Sequence, residues 1–583
     1  MFKPITNSTN ISRQKQKYYM KLNPLPIASP FAMLILVAML VSSLLLPAIA
    51  PVLVSAQPVC NTGADDPAVN TNTADCNSAV DITELAAYLK EWHACGECMT
   101  DMSEAVEAFY FSEPCVPACS GKNCGDDGCG RLCGECGEGY LCNDAQQCEE
   151  IIILMTNNLS QFGITWGFNR EYQYGQFANN DYWVVGPLIL TEINVTPIGG
   201  NPSTPSEGRN GLTINPGTGS DETTHAYDDR AAGYDFRLLP ELPLKVGINS
   251  SIVSTISLGE EASNGQPREP KLHTAAVLTV LESPPPDDSF RPPYVGTDKP
   301  LYSSLNLRTD LLKNLPKVAN TPTVASLESS FGRVWLDHQN GWSGKAIHPV
   351  NNMPEYGRDM AQKIGEATLI LNLDPSKLDR SKKTLLIRLV QLGIDLAGIA
   401  DNGGSWAPEA GYQVGRKWPI LFAGLMLDDS HLKGVGEWET VFQEDVQTFY
   451  VEKTSTGTYN YGHGGYDEDD VGLPEWGIKH TTEPVHDEKR WDASYREVNG
   501  VANVGSVLAA HLMGAKELWR HNALFDYEDR WWNITGETIS ITPFIRAMWR
   551  TYRAEHGCVW TPYDEDDIHS HGYFDCVLCK YCS

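Results

Sequence analysis

Between Tyr459 and His480 the chain reads YNYGHGGYDEDDVGLPEWGIKH, a glycine-rich loop carrying Tyr461, His463, Tyr466, Glu475 and His480. Imidazoles, phenols and carboxylates are the groups that move protons near neutral pH, so this loop suits general acid–base chemistry. A second set follows it. Arg496, Asn499 and Asn503 stand at i, i+3 and i+7, on one face of a helix that continues into the apolar Val507-Leu508-Ala509-Ala510. A polar stripe on such a helix is costly unless water, a substrate or an internal network meets it. The third set is cationic: Arg416 and Lys417 stand just before the uncharged run Pro419–Leu427. Cations at the positive end of a helix oppose its dipole, so an anion from outside is the expected compensation. Trp406, in the preceding Gly- and Trp-containing loop, joins them as a substrate-binding candidate.

These residues need elements to hold them. Leu385, Leu389, Leu392, Leu396 and Ile399 recur at steps of three and four, the buried stripe of one helix. Pro419–Leu427 is too apolar for a surface helix and belongs inside, with Pro419 tolerated in its first turn. The helical pattern predicts further helices at 305–315, 324–336, 356–373, 382–400, 495–512, 516–532 and 543–555. Helices in succession without intervening strands suggest stacked antiparallel pairs, an incomplete α/α toroid. Upstream, strand-like runs such as YWVVGPLILTEINV and HTAAVLTVL alternate with Gly, Pro and Asn turns and predict a β-sandwich-like domain. Trp166, Tyr172, Tyr174, Phe177, Tyr182 and Trp183 crowd its start and serve either a core or sugar stacking.

Composition bounds the rest. A chain of 583 residues with 42% hydrophobic residues is globular and has room for several domains. A net charge of −30 argues against non-specific nucleic-acid binding, though a local basic cleft for an acidic ligand is compatible with it. Residues 1–56 place Lys3, Arg13, Lys15, Lys17 and Lys21 before the apolar run Phe31–Leu46 and then Val54-Ser55-Ala56. That is the pattern of a secretory signal, with a membrane anchor over 31–54 as the alternative. Of 16 cysteines, 12 fall between Cys60 and Cys148 and four in the tail from Cys558. Dense, even numbers in an exported chain read as disulfides. Zinc on Cys133 and Cys136, or on the tail's Cys576, Cys579, His569 and His571, is the alternative.

Two segments resemble known modules. The run around CGDDGCG in residues 113–150 is similar to cysteine-rich repeats of secreted microbial proteins. Residues 57–112 resemble a degenerate half-dockerin: Asp75, Asn77, Asp81 and Glu84 occupy calcium-loop spacings 3, 5, 9 and 12, with Thr73 at the first. The resemblance implies calcium as the one cofactor admitted, and a cohesin-like or cell-surface partner. A plain disulfide-stapled helical hairpin is the alternative for this segment.

Over about 400 residues, the motifs FANNDYWVVGP, RPPYVGTDKP, QLGIDLAG, GRKWPILFAGLML, GLPEWGIKH and HNALFDYEDRW resemble a family of large exported proteins of polysaccharide-degrading microbes. Its architecture is similar to toroid-plus-β polysaccharide lyases. The family pattern has Gly-Gly-His before Gly-Arg-Lys, where Glu409-Ala410-Gly411-Tyr412 stands here. It has Cys-Cys-Thr-Ala-Asn near Asn503, where Val498-Asn499-Gly500-Val501-Ala502-Asn503 stands.

The expected chain is therefore multidomain α+β: leader 1–56, dockerin-like hairpin 57–112, cysteine knot 113–150, β-sandwich-like domain 151–283, Pro-rich linker 284–300, all-α domain 301–556 and cysteine-rich tail 557–583. The expected function is β-elimination on an anionic uronate polysaccharide. Arg416, Lys417 and Asn503 neutralise the carboxylate, His463 is the base, and Tyr461 or Tyr466 is the acid, with Trp406, Glu475, His480, Arg496 and Asn499 binding substrate. The alternatives are a glycoside hydrolase using Glu475 with Asp470 or Asp395, and a non-catalytic glycan-binding surface protein.

Overall fold

The structure is a computed structural model that describes residues 118–125, 132–137, 140–142, 145–150, 153–195, 209–219, 225–259, 270–339, 341–408, 411–453, 466, 468–477, 495–535, 540–553, 558–561 and 573–576. The leader, the dockerin-like segment with its calcium quartet, and residues 461–465, 467 and 478–480 of the Tyr461–His480 loop lie outside them. The chain divides into two units, Met1–Ile152 and Ile153–Ser583.

In the first unit, strands β1 (Tyr140–Cys142) and β2 (Cys148–Glu150) pair antiparallel. Three disulfides staple them: Cys119–Cys133, Cys124–Cys142 and Cys136–Cys148. Cys133 and Cys136 thus bond to different sulfurs, which removes the thiolates a zinc ion would need. A stretch this poor in aliphatic side chains has little else to hold it.

The second unit is mixed α/β. Its strands are β3 (Met155–Gln161), β4 (Ile164–Gln176), β5 (Tyr182–Val185), β6 (Leu188–Val195), β7 (Leu212–Ile214), β8 (Leu244–Val246), β9 (Ser250–Ser257) and β10 (Leu272–Leu281). They form one eight-stranded sheet ordered β7-β9-β10-β5-β4-β6-β8, with β3 also on β4, curled into half a barrel. Only β5 and β10 run parallel among its pairs. Register irregularities at Gly167/Phe168 and Thr156/Asn158 fall along the long strand β4 and its partners, where the sheet bends.

Alternation along β9 and β10 feeds two cores. Ile252, Ala276, Leu278 and Val280 point into the curl with Trp166, Phe168 and Leu190. Val253, Ala275 and Val277 point the other way, into the core shared with the helices. Strands buried on both faces read as near-continuous apolar runs, as HTAAVLTVL does. The aromatic cluster at the start of this region is largely core: Trp166 is fully buried and its indole donates to Ser254 Oγ at 2.9 Å.

The Pro-rich segment 284–300 is not a spacer. Phe290 to Val295 are buried in the shared core, and Ala178 N, Gln391 Nε2 and Tyr302 O all bond to its backbone. Prolines need no backbone donor partner, so a Pro-rich strap can be buried at low hydrogen-bonding cost.

The helices are α1 (Val324–Ser330), α2 (Gly357–Leu371), α3 (Lys383–Asp401), α4 (Lys417–Leu427), α5 (Ser430–Lys433), α6 (Gln443–Gln447), α7 (Tyr495–Leu512), α8 (Lys516–Trp519), α9 (Asn522–Thr535) and α10 (Pro543–Met548). The five leucine and isoleucine positions of the α3 stripe are buried, and α4 is buried all round up to Met426. Residues 305–315 form only a short 3-10 turn at Thr309–Leu311. The predicted 516–532 helix is broken by Arg520, which sits at φ 57°. A short pair, β11 (Thr448–Tyr450) with β12 (Pro474–Trp476), lies among the helices. In the tail, β13 (Cys558–Thr561) and β14 (Tyr573–Cys576) pair with Cys558 opposite Cys576. Among the described residues no helix is long and apolar enough to cross a membrane.

Candidate active site

The mouth of α4 is occupied from within. Glu444, on α6, accepts from Lys417 N at 2.9 Å and Gly415 N at 3.0 Å, so its carboxylate meets the unsatisfied N–H groups of the helix start. Lys417 Nζ pairs with Asp445. Arg416 is 1% exposed and grips Asp337 with two bonds, 2.8 Å to Oδ2 and 3.1 Å to Oδ1. Its remaining N–H groups reach Tyr412 O and Val414 O. The anions expected from outside are therefore Asp337, Glu444 and Asp445, and α6 supplies two of them. Arg416 orients a carboxylate and is closed off from solvent.

That carboxylate is a hub. Besides Arg416, Asp337 accepts from Trp406 Nε1 at 3.2 Å and stands 3.5 Å from His348 Nε2. Burial pushes its carboxyl up, but Arg416 and His348 outweigh this and hold it well below the usual carboxylate range. On the other side of the imidazole, His348 Nδ1 is 3.3 Å from the Tyr412 hydroxyl, and the two rings stack at 5.7 Å. Burial lowers the His348 pKa, with Asp337 pulling the other way, so the ring is neutral at pH 7. Tyr412, His348, Asp337 and Arg416 thus form one buried line from phenol to guanidinium.

The line ends near the surface. Trp342, 45% exposed, lies 5.4 Å from the Tyr412 ring, and Tyr356 flanks it at 6.1 Å. Lys345 Nζ sits 3.8 Å from the Trp342 ring centre. One short helical turn, Trp342–Ile347, presents Trp342 and Lys345 and ends at His348. Gly341, at φ 85°, opens the turn in a conformation that other residues adopt at a cost. Lys271 N bonds to Ala346 O at 2.8 Å and Val350 N to Leu272 O at 3.1 Å, which fastens the turn to the start of β10. The sheet and the 331–348 segment therefore position the imidazole, while the loop before α4 brings the phenol.

A second buried chain shares this segment. The Tyr294 hydroxyl accepts from Asp337 N at 3.2 Å and meets His338 Nδ1 at 3.1 Å. Burial, then the nearby His225, drops His338 to a pKa of about 3, so it stays neutral.

No protein-family model, no curated protein and no solved structure matches the chain.

The other expected site residues are dispersed. Tyr466 donates to Glu475 Oε2 at 2.9 Å, and Arg530 reaches Glu475 Oε1 at 2.6 Å. Glu475 is 1% exposed, and Asp470 is also buried. Asp395, on α3, accepts from Arg291 NH1 at 3.0 Å and is not joined to this cluster by any described hydrogen bond. Asn503 is buried against Glu528 of α9, whose carboxyl is raised well above its ordinary value by burial, with Asn503 opposing. The polar stripe on α7 thus meets an internal group at this position. Arg496 and Asn499 lie on α7, with side chains outside the described residues. Tyr461, His463 and His480, and the quartet Asp75, Asn77, Asp81 and Glu84, also lie outside them. Trp406 is buried at Asp337. Asp337, Trp342, Lys345, His348 and Tyr356 had no place in the sequence reading. The run DHQNGWSGKAIHP carries two histidines, an aspartate and a glycine-flanked tryptophan in 13 residues, and that density was the available signal.

Proposed function

We propose that this is an exported carbohydrate-active protein that takes an anionic, uronate-containing polysaccharide at Trp342 and Lys345 and cleaves it by β-elimination. The observation behind this reading is the line Tyr412–His348–Asp337–Arg416 beneath an exposed tryptophan. An exposed indole offers a face to a sugar ring, and a lysine beside it offers a charge to a uronate carboxylate. With the imidazole proton on Nε2, which lies 3.5 Å from Asp337 Oδ1 without a hydrogen bond to it, Nδ1 is left to accept the phenol proton. The elimination then balances as follows. Tyr412 oxygen, its proton passed to His348 Nδ1, takes the proton from C5, those electrons form the C4–C5 double bond, and the C4–O bond breaks. The leaving oxygen takes the proton now on Tyr412, and His348 returns the phenol proton to Tyr412.

This assignment moves the acid–base pair from the Tyr461–Tyr466 loop to Tyr412 and His348. It keeps Arg416 as a positioning residue. The family resemblance, export, the dockerin-like segment with its calcium, and a cohesin-like or cell-surface partner belong to the same proposal. So does the finer view of the fold, with the curled sheet as a sandwich-like enclosure and the packed pairs α2–α7 and α3–α4 as part of an incomplete α/α toroid.

Binding without turnover is the second reading, favoured by one observation: Tyr412 is 1% and His348 0% exposed. Incubation with a panel of uronate polysaccharides, read by ultraviolet absorbance of the unsaturated product, separates the two. We expect product from the wild type, at least a 100-fold loss in Tyr412→Phe with an unchanged melting temperature, and weaker binding by Trp342→Ala. Binding with no product supports the second reading. Reducing ends without ultraviolet absorbance would indicate hydrolysis and sink the elimination chemistry.

A further inference from the structure

A crevice opens between the turn Asn179–Asp181, the buried strap at Arg291, the segment Phe331–Trp335 and the α3 face carrying Arg388 and Asp395. Three guanidinium groups and two carboxylates line it. Arg291 uses both carboxylates: its Nε lies 2.6 Å from Asp181, and its NH1 3.0 Å from Asp395. Asn179 completes Asp181 with a 2.8 Å bond. That leaves Arg333 and Arg388.

Neither has a carboxylate among the described residues. Arg388 NH1 bonds to the backbone oxygen of Glu328 at 2.7 Å, while its Nε is buried without an acceptor. The Glu328 carboxylate is turned to Arg380 at 3.1 Å. Arg333 lays its guanidinium over the Phe162 ring at 4.6 Å, and its NH1 is likewise buried without an acceptor. Buried N–H groups of a cation left without acceptors are expensive, and charged hydrogen bonds are the strong ones. Both arginines line the same crevice, and two such groups on it call for an anion with several oxygens.

Size narrows the class. The crevice holds about 350 Å³ of free space counting its open mouth, but only about 20 Å³ admits the centre of a water-sized group. A single small group fits there and a sugar ring does not.

We propose that this crevice is a binding site for a small free oxyanion of the sulfate or carboxylate class, held between Arg333 and Arg388. Occupied, it ties α3 to the segment after α1 and completes a charge balance that the protein's own carboxylates leave open. The site is separate from Trp342 and Tyr412, and its test is independent of any cleavage activity.

The test titrates sodium sulfate into the full-length protein at constant ionic strength maintained with sodium chloride, followed by calorimetry. We expect saturable one-to-one binding, weakened at least tenfold in Arg388→Gln and in Arg333→Gln. Gly332→Ala provides a milder probe, because a Cβ there would lie 3.2 Å from Arg388 NH1 and crowd the guanidinium; we expect it to weaken sulfate and leave the fold intact. Absence of saturable heat in the wild type, or equal affinity in the arginine variants, would overturn the site. If Arg388→Gln fails to fold, Arg333→Gln, at a partly buried residue, and Gly332→Ala decide it. A sulfated oligosaccharide at equal sulfate concentration should bind no more tightly than inorganic sulfate. Tighter, Arg333-dependent binding would overturn the assignment to a free ion and point to a substituent on the polysaccharide.

Discussion

Arg416 shows how far a residue's neighbours in sequence can mislead about its neighbours in space. Beside Lys417 and before an apolar helix it looks like a cation waiting for a ligand. Its partner is Asp337, 79 residues away, and both are nearly excluded from water. Removing one member of a buried pair strands the other, which costs ~3–5 kcal/mol. Arg416→Ala should therefore lower unfolding free energy by about that much, read from the denaturant midpoint at unchanged slope. Arg416→Lys should recover part of it, since an ammonium keeps the charge but not the two-bond fork. A variant that unfolds with the wild type would show that water reaches Asp337, and the line to Tyr412 would lose its anchor. The Glu444 carboxylate at the start of α4 was equally hidden. Nothing local to Gln443–Gln447 announces that this segment returns to cap a helix beginning 27 residues earlier.

At the scale of elements, α2 and α7 approach closely because glycines face each other. A Cβ on Gly365 would fall 2.8 Å from Gly505 Cα, and one on Gly505 would fall 2.9 Å from Gly365 Cα. Both contacts are backbone, so no side chain can swing aside. Gly365→Ala should push the helices apart and cost ~1–3 kcal/mol, although alanine is the better helix former. A melting temperature raised by this change would contradict the packing. Helix identity was legible for the same reason that such contacts exist: long buried stripes at steps of three and four placed α2, α3 and α7, and an unbroken apolar run placed α4, within a few residues. What failed was shorter or chemically ambiguous. Residues 305–315 have leucines at 305, 307, 311, 312 and 315, which would share one helical face, yet Leu305 is 76% exposed and only Thr309–Leu311 turns. The strap around Arg291 reads as a linker because prolines dominate it, yet its burial depends on α3 and the sheet, which no local pattern reveals. The candidate site was the least legible feature, since His348, Asp337 and Tyr412 converge from segments with no shared period.

For the molecule as a whole, the decisive feature is that β9 and β10 serve two cores at once. Val253, Leu272, Ala275 and Val277 of the sheet pack in the same cluster as Phe290, Tyr294 and Val295 of the strap and the apolar faces of α1 to α4. A boundary at residue 283 would cut through that cluster, so the sheet and the helices are expected to fold as one unit. The consequence is measurable. A fragment of residues 153–283 keeps the core inside the curl, built on Trp166, Phe168, Leu190, Ile252 and Leu278. It would, however, expose the outer faces of β9 and β10, contiguous apolar surface of the kind that drives association. It would also lose Arg291, the ion-pair partner of Asp181. We expect the fragment to be aggregation-prone or, if soluble, to lack a cooperative thermal transition and dispersed amide resonances. Extending it to residue 401, which restores the strap, α1, α2 and α3, should recover part of the cooperativity, because those elements cover the β9 and β10 faces. A sharp, reversible transition in the 153–283 fragment alone would show that the inner core suffices and that the shared cluster is an interface between two domains.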